Sequence, residues 1–186
     1  MPGLKFRVLL DSDKNEEVFR DILISDASDF ESFYHAIMKS FDFKGDQMAS
    51  FYVSNDEWDK GHEISLLDMS YDDDSIDSPA SVMKNAIIKD FLEEPDQRFI
   101  LVYDFMKMWI FLIELIGFDR NEPKIPEMLI AIGTPPKEES REELQEELFL
   151  DNEHMSSNDD EDEFGFDEFD DDYSDDDLSD YNEYEY

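Results

Sequence analysis

After Leu150 the chain changes character: residues 151–186 hold 18 Asp or Glu and no Lys or Arg. Blocks such as Asp159-Asp-Glu-Asp-Glu163 and Asp170-Asp-Asp172 repel themselves on compaction. The only aliphatic side chains there are Met155 and Leu178, too little apolar surface to offset the entropy of ordering, so this stretch is expected to be disordered in isolation. The chain carries 52 acidic against 15 basic residues in 186, a net charge of −37, and residues 1–150 account for 34 and 15 of them, or −19. That length suits one domain and an appendage. The expected division is a domain over 1–136, a helical linker over 137–150 and an acidic tail over 151–186 bearing Phe164, Phe166, Phe169, Tyr173, Tyr181, Tyr184 and Tyr186.

Charge of this sign excludes whole classes of partner. DNA affinity comes mainly from Lys and Arg neutralising phosphates, so direct nucleic-acid binding is not expected, nor is attraction to anionic lipid. With no cysteine, the chain has no disulfide, no thiolate-ligated zinc and no Cys nucleophile. The apolar start is interrupted by Lys5 and Arg7 and halted by Asp11, too short for a signal-peptide core. Residues 99–118 have the length of a membrane span but include Asp104, Lys107 and Glu114, each costly in hydrocarbon; two buried strands explain them better. A cytoplasmic protein is the resulting expectation.

Periodicity gives the fold class. Leu4, Phe6, Val8 and Leu10 alternate with Lys5, Arg7 and Leu9 as in a half-buried strand, and residues 18–24 alternate likewise. The polar connection from Asp11 to Asn15 makes them a hairpin. Ser28 and Glu31 have capping-box spacing, and Phe30, Phe33, Tyr34, Ile37, Met38 and Phe41 then form one helical stripe. Strands are expected over 48–53 and 64–67, a polar acidic loop over 68–79, and a short helix within 82–92 turning Ile87, Ile88, Phe91 and Leu92 inward. Residues 99–105 and 108–118 read as adjacent central strands. Ser140 and Glu143 offer a second capping box, for a helix carrying Leu144, Leu148 and Phe149. The expectation is an α+β domain: a mixed, largely antiparallel sheet packed with helices.

Motifs for chemistry are sparse. His35 falls at the edge of the helical stripe, while His62 and His154 read as loop and tail, so none sits in a nucleophile motif. The six glycines nowhere recur closely enough to cradle a phosphate. Asp160, Asp162, Gly165, Glu168 and Asp171 partly match a calcium loop, but Phe164 stands at its fifth position; weak, nonspecific divalent-cation binding along the tail is the stronger reading, and Asp72, Asp73, Asp74 and Asp77 read first as a solvated loop. Asp104 and Glu114 interrupt apolar strands. Asp104 sits where a turn's backbone N–H groups need an acceptor, and Glu114 faces water, so catalysis by this pair is the weaker reading. No cofactor or metal is expected.

The run Tyr103-Asp-Phe-Met-Lys-Met-Trp109 resembles the Tyr-Asp-Phe-Gly-Asp-x-Trp-Glu-His signature of the plasmid ORF-3-like family, named after open reading frame three of an Ri plasmid. Phe19-Arg20 is similar to its Trp-Arg region, Phe33 to Ile37 with His35 to its Leu-His-x-x-Ile helix, and Pro126 with Gly133-Thr-Pro-Pro136 to its terminal region. Only Tyr103, Asp104, Phe105 and Trp109 carry over from the signature itself. Met106, Lys107, Ile110 and Phe111 depart from it, and apolar Ile110 and Phe111 can neither ligate a metal nor transfer protons. The resemblance implies an α+β fold rather than an activity. The leading expectation is a non-catalytic interaction module whose acidic, aromatic tail engages a basic protein partner. The alternatives are a small-ligand or enzymatic pocket near Tyr103, Asp104 and Trp109, and mimicry of nucleic acid.

Overall fold

A computed structural model describes residues 2–12, 16–68 and 80–141. Strand β1 (Gly3–Leu10) buries Leu4, Phe6, Val8 and Leu10, as its alternation predicts, and pairs antiparallel with β2 (Phe19–Ser25), Phe6 lying opposite Ile22. Helix α1 (Phe30–Ser40) follows. After it come β3 (Ala49–Ser54), β4 (Lys60–Ser65), the two-residue β5 (Ser81–Val82), β6 (Arg98–Tyr103), β7 (Trp109–Asp119) and β8 (Glu127–Ile132). They form one eight-stranded sheet in the order β5-β4-β3-β6-β7-β1-β2-β8. Every pairing is antiparallel except β4 with β5, which makes the sheet mixed.

The two most apolar segments, β6 and β7, do occupy the centre, with Leu101 opposite Phe111. The protein is mostly sheet, with a single α-helix among the described residues rather than several. That helix lies over one face. Phe30, Phe33, Tyr34, Ile37 and Met38 are buried along it, and Phe6, Phe51 and Phe99 of the sheet meet its rings. Burying each such side chain is worth about 1.5–3 kcal/mol, which exceeds what intrinsic propensity gives an 11-residue helix.

Local details differ from the expectation for identifiable reasons. Asp29, not Ser28, caps α1: its backbone is extended and its Oδ1 accepts the Ser32 N–H at 2.7 Å. The Ser28 carbonyl instead accepts the Ile88 N–H at 2.9 Å, and the Phe30 N–H donates to Ala86 O at 3.0 Å. Those two bonds hold Ala86 and Ile87 extended, so residues 82–92 do not form an α-helix. Two 3₁₀ turns, Met83–Asn85 and Ile88–Phe91, stand in its place. Met83, Ala86 and Ile88 are the buried side chains there, whereas Ile87, Phe91 and Leu92 are half-buried.

Strand β4 begins at Lys60, four residues before the expected start at Ile64. Asn55 Oδ1 accepts the N–H groups of Glu57 and Asp59, both at 3.0 Å, and tightens the preceding loop. His62 therefore lies on a strand rather than in a loop, its Nε2 2.8 Å from Ser81 Oγ. The acidic loop from Met69 to Pro79, the second capping box with its helix, the calcium-loop match, His154 and the tail aromatics lie outside the described residues.

Candidate functional site

The end of the β6–β7 hairpin gathers the residues singled out from sequence. Tyr103 and Trp109 face each other across the last pair of the ladder, both essentially inaccessible. Asp104 leaves β6 in the left-handed region at φ 57°, which short polar Asp tolerates better than most residues. Its N–H donates to Met48 O at 2.8 Å, and its Oδ1 accepts the N–H groups of Met106 at 3.0 Å and Lys107 at 3.2 Å. The carboxylate is thus engaged by the turn itself. Asp104→Ala is expected to cost about 1–2 kcal/mol through the lost cap and the left-handed backbone, whereas Asp104→Asn stays within about 0.5 kcal/mol, measured as shifts in urea midpoint.

A strap from Gly133 to Arg141 closes over this end. It leaves β8 through Gly133 at φ 76°, where an added Cβ would collide with Glu17 O. Glu138, almost fully buried, accepts the Tyr103 hydroxyl at 2.7 Å through Oε1 and the Lys44 N–H at 2.8 Å through Oε2. The Asp46 N–H donates to Tyr103 Oη at 3.2 Å. Arg141 lays its guanidinium 4.2 Å from the centre of the Trp109 ring and donates to the carbonyls of Lys107 and Met108. Phe43 closes the ring's edge at 5.0 Å. Tyr103, Asp104 and Trp109 are therefore together and buried, with Glu138 and Arg141 of the strap roofing Tyr103 and Trp109.

Two polar atoms in this cluster, Tyr34 Oη and Trp109 Nε1, are buried without a hydrogen-bond partner among the described residues. Burial first, and the carboxylates of Asp46 and Glu138 second, push the Tyr34 hydroxyl well above the ordinary tyrosine range. Burial, then the bond to Glu138, does the same for Tyr103. The unfolded chain's tyrosines ionise first, near pH 10, so the neutral hydroxyls favour the fold up to that range and stability falls as pH rises beyond it. Tyr34→Phe removes the unpartnered hydroxyl. It is expected to be neutral or to stabilise by up to about 1 kcal/mol at neutral pH, and to flatten the alkaline decline, read from urea unfolding across pH.

Glu138, Arg141 and Asp46 were not legible as members of this cluster, since they are single charges in polar stretches with no periodic signal. Arg20, in the Phe19-Arg20 pair, proves to be a buried organiser. It reaches Ser40 O at 2.9 Å, Phe19 O and Ile132 O at 2.8 Å each and Gly133 O at 3.3 Å, tying helix end, β2 and β8 together. His35 is exposed on the helix with Glu31 at 3.9 Å, in keeping with a helix-edge position. Glu114 is partly exposed and lies 3.7 Å from Arg98, its neighbour across the ladder.

The Tyr-Asp-Phe…Trp hairpin, the buried Arg and the closing Gly-x-x-Pro strap are accompanied by a match of residues 2–181 to the family model for plasmid pRiA4b ORF-3-like protein. The chain belongs to the plasmid pRiA4b ORF-3-like family. A solved structure similar to it is a protein of unknown function from Methanosarcina mazei Go1, at 16% identity over 83% of each chain with a TM-score of 0.60. At that identity the likeness shows the fold alone. No curated protein matches. In this member of the family the retained signature residue Asp104 holds the hairpin turn, Tyr103 and Trp109 lie beneath the strap, and Phe111, at a polar position of the signature, packs into the core against Phe41 and Phe43. Among the described residues no helix is long and apolar enough to cross a membrane.

Proposed function

We propose that this protein is a non-catalytic intracellular interaction module whose acidic, aromatic-bearing C-terminal segment engages a partner with a basic surface. The observation that carries this reading is the charge split, with 18 carboxylates and no cation in the last 36 residues, interleaved with Phe164, Phe166, Phe169, Tyr173, Tyr181, Tyr184 and Tyr186. Opposite charge speeds encounter and weakens with salt, while aromatic anchors hold at high salt. Engagement of Asp104 by its own turn supports the non-catalytic side of the reading. The test compares the full chain with a full chain whose carboxylates in residues 151–186 are changed to Asn and Gln. Both are used for capture from the native host at low and high salt, followed by mass spectrometry. Basic proteins enriched by the unaltered chain and lost on neutralisation are the expected result; equal capture by both removes the tail from the mechanism.

A second reading, a small-ligand pocket at Tyr103, Asp104 and Trp109, draws on the unpartnered Tyr34 hydroxyl and Trp109 indole N–H beside them. It requires the strap to lift. A metabolite thermal-shift screen repeated with Asp104→Asn separates the readings: a compound that stabilises the chain and loses its effect in that variant favours the pocket.

A further inference from the structure

The last strand of the sheet is unlike the other seven. All six residues of β8 are exposed, and it is the terminal strand of the sheet, so beyond β2 its outer backbone edge has no partner among the described residues. Met128, Leu129, Ile130 and Ile132 are each about half exposed, and Ile125 just before them is 71% exposed. Natural edges of this kind are blunted with Lys, Pro or inward charge. Between Glu127 and Ile132 there is none of these after Glu127 itself, only a bulge at Leu129, where the register against β2 shifts. Beside Met128 a cleft of about 200 Å³ runs between β8 and α1, lined by Ile22, Ala36, Lys39 and Pro126 among others. The edge therefore offers backbone groups in line, apolar side chains on both faces and a seat for one more.

Charge decides what covers it. Glu127 opens the strand, and the chain as a whole carries −37. A second copy brings the same field, and the chain's own last 36 residues bring 18 more carboxylates, so both are repelled. We propose that β8 is the docking edge for an extended apolar segment bearing Lys or Arg from the basic partner, which adds to the sheet as a ninth strand. This rests on the reading above for the sign of the partner and adds what that reading lacks, a salt-tolerant anchor on the folded domain.

The test uses the full chain and a fluorescent Lys-Val-Lys-Val-Lys-Val-Lys peptide, beside an analogue N-methylated at its valines and a Lys-Ser peptide of equal charge. Affinity is read by anisotropy at low salt and at about 1 M salt, where the screening length is about 3 Å. At high salt the Lys-Val peptide is expected to bind about tenfold more tightly than either control. The double variant Ile130→Ser with Ile132→Ser, its fold verified by thermal unfolding, is expected to weaken that binding about tenfold. Neutralising the tail should lower only the low-salt affinity; edge binding that persists while the tail makes no difference would sink the tail reading and leave the edge standing. Equal affinity for the three peptides, or indifference to the double variant, overturns the docking edge. So does a concentration-dependent dimer that the double variant dissolves, which would make the occupant a second copy.

Discussion

Phe30→Ala is expected to lower stability by about 3–5 kcal/mol, the largest single-residue effect in the domain. Phe30 opens α1 with no accessible surface, and its ring meets three others: Phe51 at 5.0 Å, Phe99 at 5.3 Å and Phe91 at 5.4 Å, all edge-on. Those rings come from β3, β6 and the second 3₁₀ turn, so truncation opens a cavity where three elements converge. Edge-to-face pairs contribute about 0.5–1.5 kcal/mol each beyond the area they bury. The sheet is fixed by its ladders and cannot collapse into the space. Urea unfolding should show a lower midpoint with an unchanged slope, the sign of a less stable but equally compact fold. A loss below about 1 kcal/mol would mean that the helix is not the lid of this core.

Arg20→Leu is expected to cost about 2–4 kcal/mol although it places an apolar residue in an apolar region. The guanidinium is 5% exposed, sits 5.0 Å over the Phe41 ring, and donates to four main-chain carbonyls. Burial lowers its pKa from the ordinary arginine range. Removing it leaves Ser40 O, Phe19 O, Ile132 O and Gly133 O short of donors. Arg20→Lys would not restore them, because one ammonium cannot reproduce the planar fork. Two of those carbonyls belong to the end of β8 and the start of the strap. Amide exchange should therefore accelerate in 127–138 before it does in β6 and β7. Uniform acceleration across the sheet would show that Arg20 supports global stability only, without a specific hold on the edge.

Much of the domain was legible because it follows from local periods. The alternation of Leu4, Phe6, Val8 and Leu10 and the 3.6-residue stripe from Phe30 to Phe41 each name the face that must be hidden, and both faces meet as expected. The turn at Asp104 was legible for the same reason: a carboxylate beside a hairpin has backbone donors at hand. What sequence did not reveal depends on distant partners. Ser28 has cap chemistry, yet its carbonyl is taken by Ile88, and the cap passes to Asp29. Residues 82–92 have a helical pattern, yet bonds to the start of α1 hold their middle extended. Glu138 and Arg141 look like solvated charges, and they become the roof over Tyr103 and Trp109.

By itself, the order of residues determined strands β1, β2, β3, β6 and β7, the helix over Phe30–Ser40, the acid-rich end and the absence of thiol chemistry, because periodicity and charge act between near neighbours. Only the tertiary structure decided that β1 joins β7, that Glu138 and Arg141 roof Tyr103 and Trp109, and that β8 is left bare at the margin. Those outcomes depend on which segments meet after loop closure, and contacts between residues a hundred positions apart leave no periodic trace along the chain.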